Sequence, residues 1–216
     1  CIFTIWGRWK PINRVSKIKL FNMKKIFTIL TLVALTTTIS FAQVQWGATA
    51  GLNFANVSGD DAPDESAMRL GIRLGVTADI TLSDIMTLNT GALYSVKGYS
   101  AEDDPTENNV SLNYIEIPLH VSFAVSDVVS LQAGPYLGLV VGSSITTGGE
   151  SYTDYETSDL VAGFDLGLTF GTSFNVSEAI SIDAGYQIGL TTLDPDGDAK
   201  VGNSNILVGF TYSFGG

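Results

Sequence analysis

Residues 68–82, MRLGIRLGVTADITL, alternate without a slip. Arg69, Gly71, Arg73, Gly75, Thr77, Asp79 and Thr81 share one face, and Leu70, Ile72, Leu74, Val76, Ala78, Ile80 and Leu82 share the other. A period of two is that of a β-strand whose faces meet different surroundings. Seven further stretches behave in the same way: Trp46–Asn56, Met86–Tyr99, Ser111–Ala124, Val128–Ile145, Asp159–Asn175, Ala179–Thr191 and Asn203–Phe214. Their apolar faces carry, for example, Ile115, Ile117, Leu119, Val121 and Phe123, or Ile206, Val208, Phe210, Tyr212 and Phe214. Nothing after Gln43 shows a helical period, so eight strands are expected.

The connections alternate in kind. Those near 57–67, 100–110, 146–158 and 192–203 are long and rich in Asp, Glu, Gly, Pro and Asn. The other three carry one recurring phrase, LSDIMTL at 82–88, VSDVVSL at 125–131 and VSEAISI at 176–182. Each predicts a tight turn, at Ser83-Asp84, Ser126-Asp127 and Ser177-Glu178, because short Ser and Asp side chains bond to nearby backbone amides. Alternating long and short links describe an antiparallel up-and-down meander whose two ends face different environments.

Alternation alone does not say which face looks inward: a soluble barrel puts the apolar face inside, a transmembrane barrel puts it against lipid. The polar face is unusually small, with Gly47, Thr49, Gly51, Gly71, Gly75, Ser130, Gln132, Gly134, Gly138, Gly163, Gly167, Gly171, Gly185 and Gly189. Such residues suit the narrow bore of an eight-stranded barrel. Its charges nearly balance: Arg69, Arg73 and Lys97 stand against Asp79, Glu116, Asp165 and Asp183, with His120 close in register to Glu116. Buried charges must be paired, so near-neutrality fits a closed lumen. The apolar stripes run roughly 9–13 residues, enough to cross hydrocarbon at a tilt. A sheet in lipid must also close, since open edges find no partners there. The expected fold is therefore all-β, an eight-stranded antiparallel transmembrane barrel with four long extracellular loops and three short periplasmic turns.

The ends and the charge place this barrel. Met23 opens MKKIFTILTLVALTTTISFAQ, with Lys24 and Lys25 before a short apolar run and a small-x-small site at Ser40-Phe41-Ala42. This reads as a secretory signal peptide over 23–42, too short to span a bilayer, with 1–22 as upstream sequence and 43–216 as the barrel domain. Beyond Ala42, four basic residues (Arg69, Arg73, Lys97 and Lys200) face all 22 acidic ones, a net charge of −18 against −11 for the whole chain. Nucleic acid is excluded as a partner, since phosphate binding needs Lys and Arg. The only cysteine, Cys1, precedes the cleavage point, so no disulfide is expected in the barrel.

NYIEIPLHVSF (113–123), GALYSVKGYS (91–100) and the closing ILVGFTYSF (206–214) resemble the PorT-like outer-membrane β-barrel family of Bacteroidetes, among the small OmpX/OmpA-like eight-stranded barrels. Tyr114-Ile115-Glu116-Ile117-Pro118 is the most specific piece. The resemblance implies an outer-membrane location, long loops outside, short turns in the periplasm, and for the family's namesake a link to secretion and gliding machinery. Such barrels usually end on an aromatic residue read by the assembly machinery; here Gly215-Gly216 follow Phe214.

Candidate chemistry is sparse, and neither catalytic residues, cofactor nor metal are expected. Glu116 and His120 lie four apart on one strand face, and a membrane-embedded hydrolase would need a nucleophile or second carboxylate beside them. The plainer reading is a lumenal hydrogen-bond network of Arg69, Arg73, Asp79, Lys97, Glu116, His120, Asp165 and Asp183, with Pro118 marking a bulge or kink. Asp194, Asp196 and Asp198 in DPDGD open like a calcium loop, but Ala199 and Asn205 stand where that loop needs Gly and Glu. The acidic residues of the long loops, from Asp60 and Asp61 to Asp198, gather at one end, either as a solvated surface or as ligands for divalent cations bridging lipopolysaccharide. The expectation is a structural or accessory outer-membrane barrel with a side-chain-plugged lumen, the alternative a narrow channel or small-ligand conduit. Its expected partners are outer-membrane lipid and lipopolysaccharide, the barrel assembly machinery and secretion-system components.

Overall fold

The computed structural model describes residues 44–63, 66–101, 108–147, 150–154, 162–194, 196 and 198–214. The expected signal peptide and upstream segment lie outside them, as do loop acids such as Asp64, Glu65, Glu102–Asp104, Glu107, Glu156 and Asp159. Ten strands run through the described residues: β1 (Val44–Ser58), β2 (Ser66–Ala67), β3 (Arg69–Ser83), β4 (Met86–Ala101), β5 (Asn109–Ala124), β6 (Val129–Thr147), β7 (Glu150–Asp154), β8 (Phe164–Asn175), β9 (Ile180–Gly189) and β10 (Gly202–Phe214). Eight of them form a ring in the order β1-β3-β4-β5-β6-β8-β9-β10, closed by antiparallel pairing of β1 with β10 and of β4 with β5. β2 and β7 only lengthen the walls, on β4 and β6. Two stretches expected as loop, 57–67 and 146–158, therefore carry strand, because hairpin arms go on pairing wherever a neighbour offers free amides. Conversely, the strand expected from Asp159 begins at Phe164.

The faces are inverted relative to a water-soluble protein. Leu70, Ile72, Leu74 and Val76 on β3 stay 47–59% exposed on the outer wall, an apolar surface no soluble monomer leaves bare. Trp46, Phe123, Phe174, Tyr212 and Phe214 ring the outer wall near the short turns, with Trp46 opposite Phe214 in the β1–β10 ladder. Aromatic girdles of this kind sit where hydrocarbon meets headgroups. On the inner wall, Asn53, Lys97, Glu116, Asp165, Gln187 and Asn203 are fully buried.

The three recurring phrases lie at one end, with both barrel termini. Two of them close identically. Ser126 and Val125 donate backbone N–H groups to Val129 O while the Ser126 hydroxyl accepts from Val129 N at 3.1 Å; Ser177, Val176 and Ile180 repeat the pattern, again at 3.1 Å to the hydroxyl. The first phrase differs: Ser83 pairs directly with Met86, with a register shift between Thr81 and Ser83, giving a shorter turn. In the second and third turns the Ser hydroxyl accepts the closing amides.

Two irregularities were not expected where they occur. Pro118 leaves no bulge: the β4–β5 register is unchanged from Thr90–Leu119 to Leu93–Glu116, and Pro118 faces Tyr136 in the β5–β6 ladder. Its missing N–H goes with a gap in the β4–β5 ladder between Thr90–Leu119 and Leu93–Glu116. The shift falls instead between Asn113 and Tyr114, which pair with Gly142 and Val140. Gly98 has φ +123, open to glycine alone among common residues, and beyond it the in–out alternation of β4 changes phase so that Ser100 is buried.

Candidate functional site: the barrel lumen

The lumen divides into two halves. In the half toward the long loops, Lys97 of β4 reaches inward with its ammonium 3.0 Å from Glu116 Oε2 and 3.4 Å from Asp165 Oδ2. All three side chains are fully buried. Arg73 Nη2 donates to Glu116 Oε1 at 2.9 Å, and Gln187 Nε2 donates to the same oxygen at 2.9 Å. Asp165 Oδ2 accepts from Tyr136 Oη at 3.0 Å and from Asn203 Nδ2 at 2.8 Å, which also reaches Tyr114 Oη at 3.1 Å. The Lys97 ammonium lies 4.1 Å from the Tyr136 ring centroid and 5.3 Å from that of Tyr114, within cation–π range. Two cations and two anions thus compensate each other, as burial demands.

These contacts join strands that are not neighbours in the sheet. Lys97–Asp165 links β4 to β8, Glu116–Gln187 links β5 to β9, and Tyr114–Asn203 links β5 to β10 on the opposite wall. The small lumenal residues make room for them. A Cβ on Gly167 would lie 2.5 Å from the Tyr136 ring, and one on Gly138 would lie 3.0 Å from the Tyr114 ring. Beyond the ion pairs, toward the loops, the lumen turns apolar: Val57, Leu112 and Leu193 bury themselves with Tyr114, and Tyr99, Val110 and Val201 pack against them. The lumen is therefore not polar throughout, because Leu193 from the β9–β10 connection folds back into the mouth.

The other half, toward the short turns, holds a cavity of about 580 Å³ lined by Asp79, Asn89, His120, Gln132, Asp183 and Thr211 among others. Asp79 Oδ1 accepts from Asn89 Nδ2 at 2.7 Å, Ser122 Oγ hydrogen-bonds Asn89 Oδ1, and Asp183 Oδ2 accepts from Thr211 Oγ1 at 2.8 Å. The cavity reaches the turns at Asp127, Ser177 and Glu178.

Of the eight residues expected in one network, the structure joins Arg73, Lys97, Glu116 and Asp165 directly. Asp79, Asp183 and His120 line the cavity instead, and Arg69 is half-buried at the loop end of β3 with no ion-pair partner among the described residues. Glu116 and His120 share a face, but Glu116 is taken up by Arg73, Lys97 and Gln187, and Ser122 by Asn89. Glu116 is thus committed to the ion cluster rather than to His120. Tyr114 and Tyr136 were missed by sequence reasoning; the signal was their parity, in phase with Glu116 on β5 and with Gly134 and Gly138 on β6. In the loops, Asp194 accepts from the backbone amides of Ala199 and Asp198, each at 2.8 Å, and of Asp196 at 3.3 Å. These amides, that of Ala199 first, hold its carboxyl below the usual range. Asp194 thus spends its carboxylate on nearby backbone amides, and among the described residues no group of three or more His, Cys, Asp or Glu is placed to hold a metal. Lys200 Nζ pairs with Asp60 at 2.9 Å and its amide with Asp61 at 2.8 Å, tying two connections at this end together.

No curated protein matches the chain. Among solved structures, Neisserial surface protein A is similar at 19% identity and a TM-score of 0.50, over 80% of this chain and 97% of that one. Ail, the attachment invasion locus protein of Yersinia pestis, is similar at 17% identity and a TM-score of 0.46, over 80% and 99%. Residues 41–194 match the family model described as outer membrane protein beta-barrel domain. That match, covering most of an eight-stranded ring with an apolar outer wall, makes the chain a member of the outer membrane β-barrel domain family, located in the outer membrane.

Proposed function

We propose that this protein is a structural or accessory barrel of the outer membrane, of the PorT-like kind, whose lumen is closed by side chains. The observation that carries this reading is the Lys97–Glu116–Asp165 cluster, fully buried and braced across the bore by Gln187, Asn203 and two tyrosines. Ions crossing this level must break paired charges for which the wall offers no substitutes. The long loops then face outward and the three turns face the periplasm, leaving recognition of lipopolysaccharide or secretion-system components to the rims. Divalent cations are candidate ligands of the acidic loop surface, which keeps an exposed end soluble in any case. Planar-bilayer recording of the refolded protein tests the closed lumen: no conductance steps are expected, and stable unitary steps would overturn it.

The cavity of about 580 Å³ below the cluster favours a second reading, a narrow conduit for small ligands. That reading requires the cluster to open, so it predicts conductance that rises when Lys97 and Glu116 are neutralised together.

A further inference from the structure

In each recurring phrase the residue after the acid is apolar: Ile85, Val128 and Ala179. Their carbonyls accept from the neighbouring strand, from Ala124 N at 3.0 Å, Asn175 N at 2.9 Å and Ser213 N at 2.8 Å. The ladders are therefore regular up to these positions. Register puts all three on the inner face, in phase with Thr87, Ser130 and Ser181 of the cavity wall. Val125 and Val176, in phase with Phe123 and Phe174, belong to the outer wall instead.

This inner collar is bare. Ile85 is 60% exposed and Val128 56%, and Val128 and Ala179 line the cavity where it meets the turns. A closed sheet walls its inner face off from the bilayer, so lipid does not cover them. Apolar side chains repeated at one position of three turns and left open to water mark an interaction site. The charge around them selects the partner. Asp84, Asp127 and Glu178 stand beside the collar and are exposed. Among the described residues no base answers them: Arg73 and Lys97 hold Glu116, Lys200 holds Asp60, and Arg69 lies at the loop end of β3. An apolar centre inside a rim of one sign suits a partner of the other sign and repels a second copy of this chain.

We infer that the turn-end mouth is a docking surface for an extended basic segment of another protein, with its aliphatic side chains on Ile85, Val128 and Ala179 and its lysine or arginine side chains beside Asp84, Asp127 and Glu178. In the orientation proposed above, that partner is periplasmic. The surface itself depends neither on that orientation nor on a closed lumen, and nanodiscs, open to solvent on both faces, test it whichever way the barrel points.

The probe is a rhodamine-labelled heptapeptide of alternating lysine and leucine, followed by fluorescence anisotropy against the full chain in zwitterionic nanodiscs, with empty nanodiscs subtracted. Saturable binding is expected, and about tenfold weaker binding when serine replaces the leucines or glutamine the lysines. Val128→Asn and Ile85→Asn should each weaken it about fivefold or more, while Val125→Asn and Val176→Asn on the outer wall leave it within about twofold. Asp84→Asn, Asp127→Asn and Glu178→Gln together should weaken it about tenfold and flatten its salt dependence; Asp196→Asn at the loop end should not. Heat-modifiable gel migration checks folding, and if Val128→Asn does not fold, Ile85→Asn carries the test. No saturable binding, equal binding of the serine peptide, or equal losses from inner and outer valines would each overturn the proposal. So would a dimer in detergent that Val128→Asn dissolves, which would assign the collar to a second copy.

Discussion

The two halves of the lumen share the same eight strands and solve opposite problems. Toward the loops, four charges, two tyrosines and the amides of Asn53, Gln187, Asn203 and Asn205 fill the bore until Lys97, Glu116 and Asp165 are fully buried. Toward the turns, the same inner faces carry Ser130, Gln132, Ser181 and Thr211, too small to meet across the barrel, and a cavity remains. Side-chain reach decides the difference. Lys97, Tyr114 and Tyr136 span the bore, with Gly138 and Gly167 making room opposite, whereas Asn89, His120 and Gln132 on the lower wall leave a cavity between them and Arg73 turns toward Glu116. The loop-end half should therefore carry most of the lumenal contribution to stability and the turn-end half most of the capacity to bind.

The largest effect expected is at Lys97. Lys97→Ala leaves Glu116 and Asp165 buried with one fewer cation and should cost about 3–5 kcal/mol, read as a lowered urea midpoint for barrel unfolding in detergent. Lys97→Met with Glu116→Gln should recover much of that loss, since matched neutralisation leaves less charge uncompensated. Next comes Gly167→Ala, whose added Cβ would lie 2.5 Å from Tyr136 and 2.3 Å from Ile188 O; overpacking of this kind costs about 1–3 kcal/mol. Tyr136→Phe removes the hydroxyl that donates to Asp165 and should cost about 1 kcal/mol in the same assay. The comparison is sharpened by Ser181→Ala on the cavity wall, which should change the midpoint by less than about 0.5 kcal/mol. If Ser181→Ala matched Tyr136→Phe, the two halves would not differ as described.

The smallest effect lies outside the barrel, at Asp194. Its carboxyl is held below the usual range in the folded loop by backbone amides, so its contribution is present above the unfolded pKa and is lost as pH falls through the folded one. Proteolysis or amide exchange of residues 192–201 should rise under acid, below about pH 4, and Asp194→Asn should flatten that response.

How much of this was legible in the sequence follows from what period two can carry. It places Arg73, Glu116 and Asp165 inside and Leu70, Ile115 and Phe164 outside, because parity holds as long as the ladder is regular. It does not show where parity breaks, and both breaks depend on tertiary pairing: φ +123 at Gly98, and the shift that sets Tyr114 against Val140. Tyr114 and Tyr136 escaped because aromatic residues in such a barrel are expected in the outer girdles; their parity pointed inward. Leu193 escaped because a loop residue has no period at all. Balanced charge did point to a paired lumen, but it could not separate Arg73 and Lys97, which meet Glu116, from Asp79 and Asp183, which meet only neutral donors. That distinction depends on height along the barrel, which strand register sets.

The most direct test of the two-halved lumen is thiol labelling of single cysteines in a Cys1→Ser background. Ser95→Cys sits at a fully buried lumenal position beside Asn53, and Ser181→Cys lines the turn-end cavity. With a small water-soluble methanethiosulfonate and the folded protein in nanodiscs, position 181 should react at least about 100-fold faster than position 95, because the latter must wait for local opening. Comparable rates at the two positions would mean that water passes the Lys97 cluster freely, and would contradict the account.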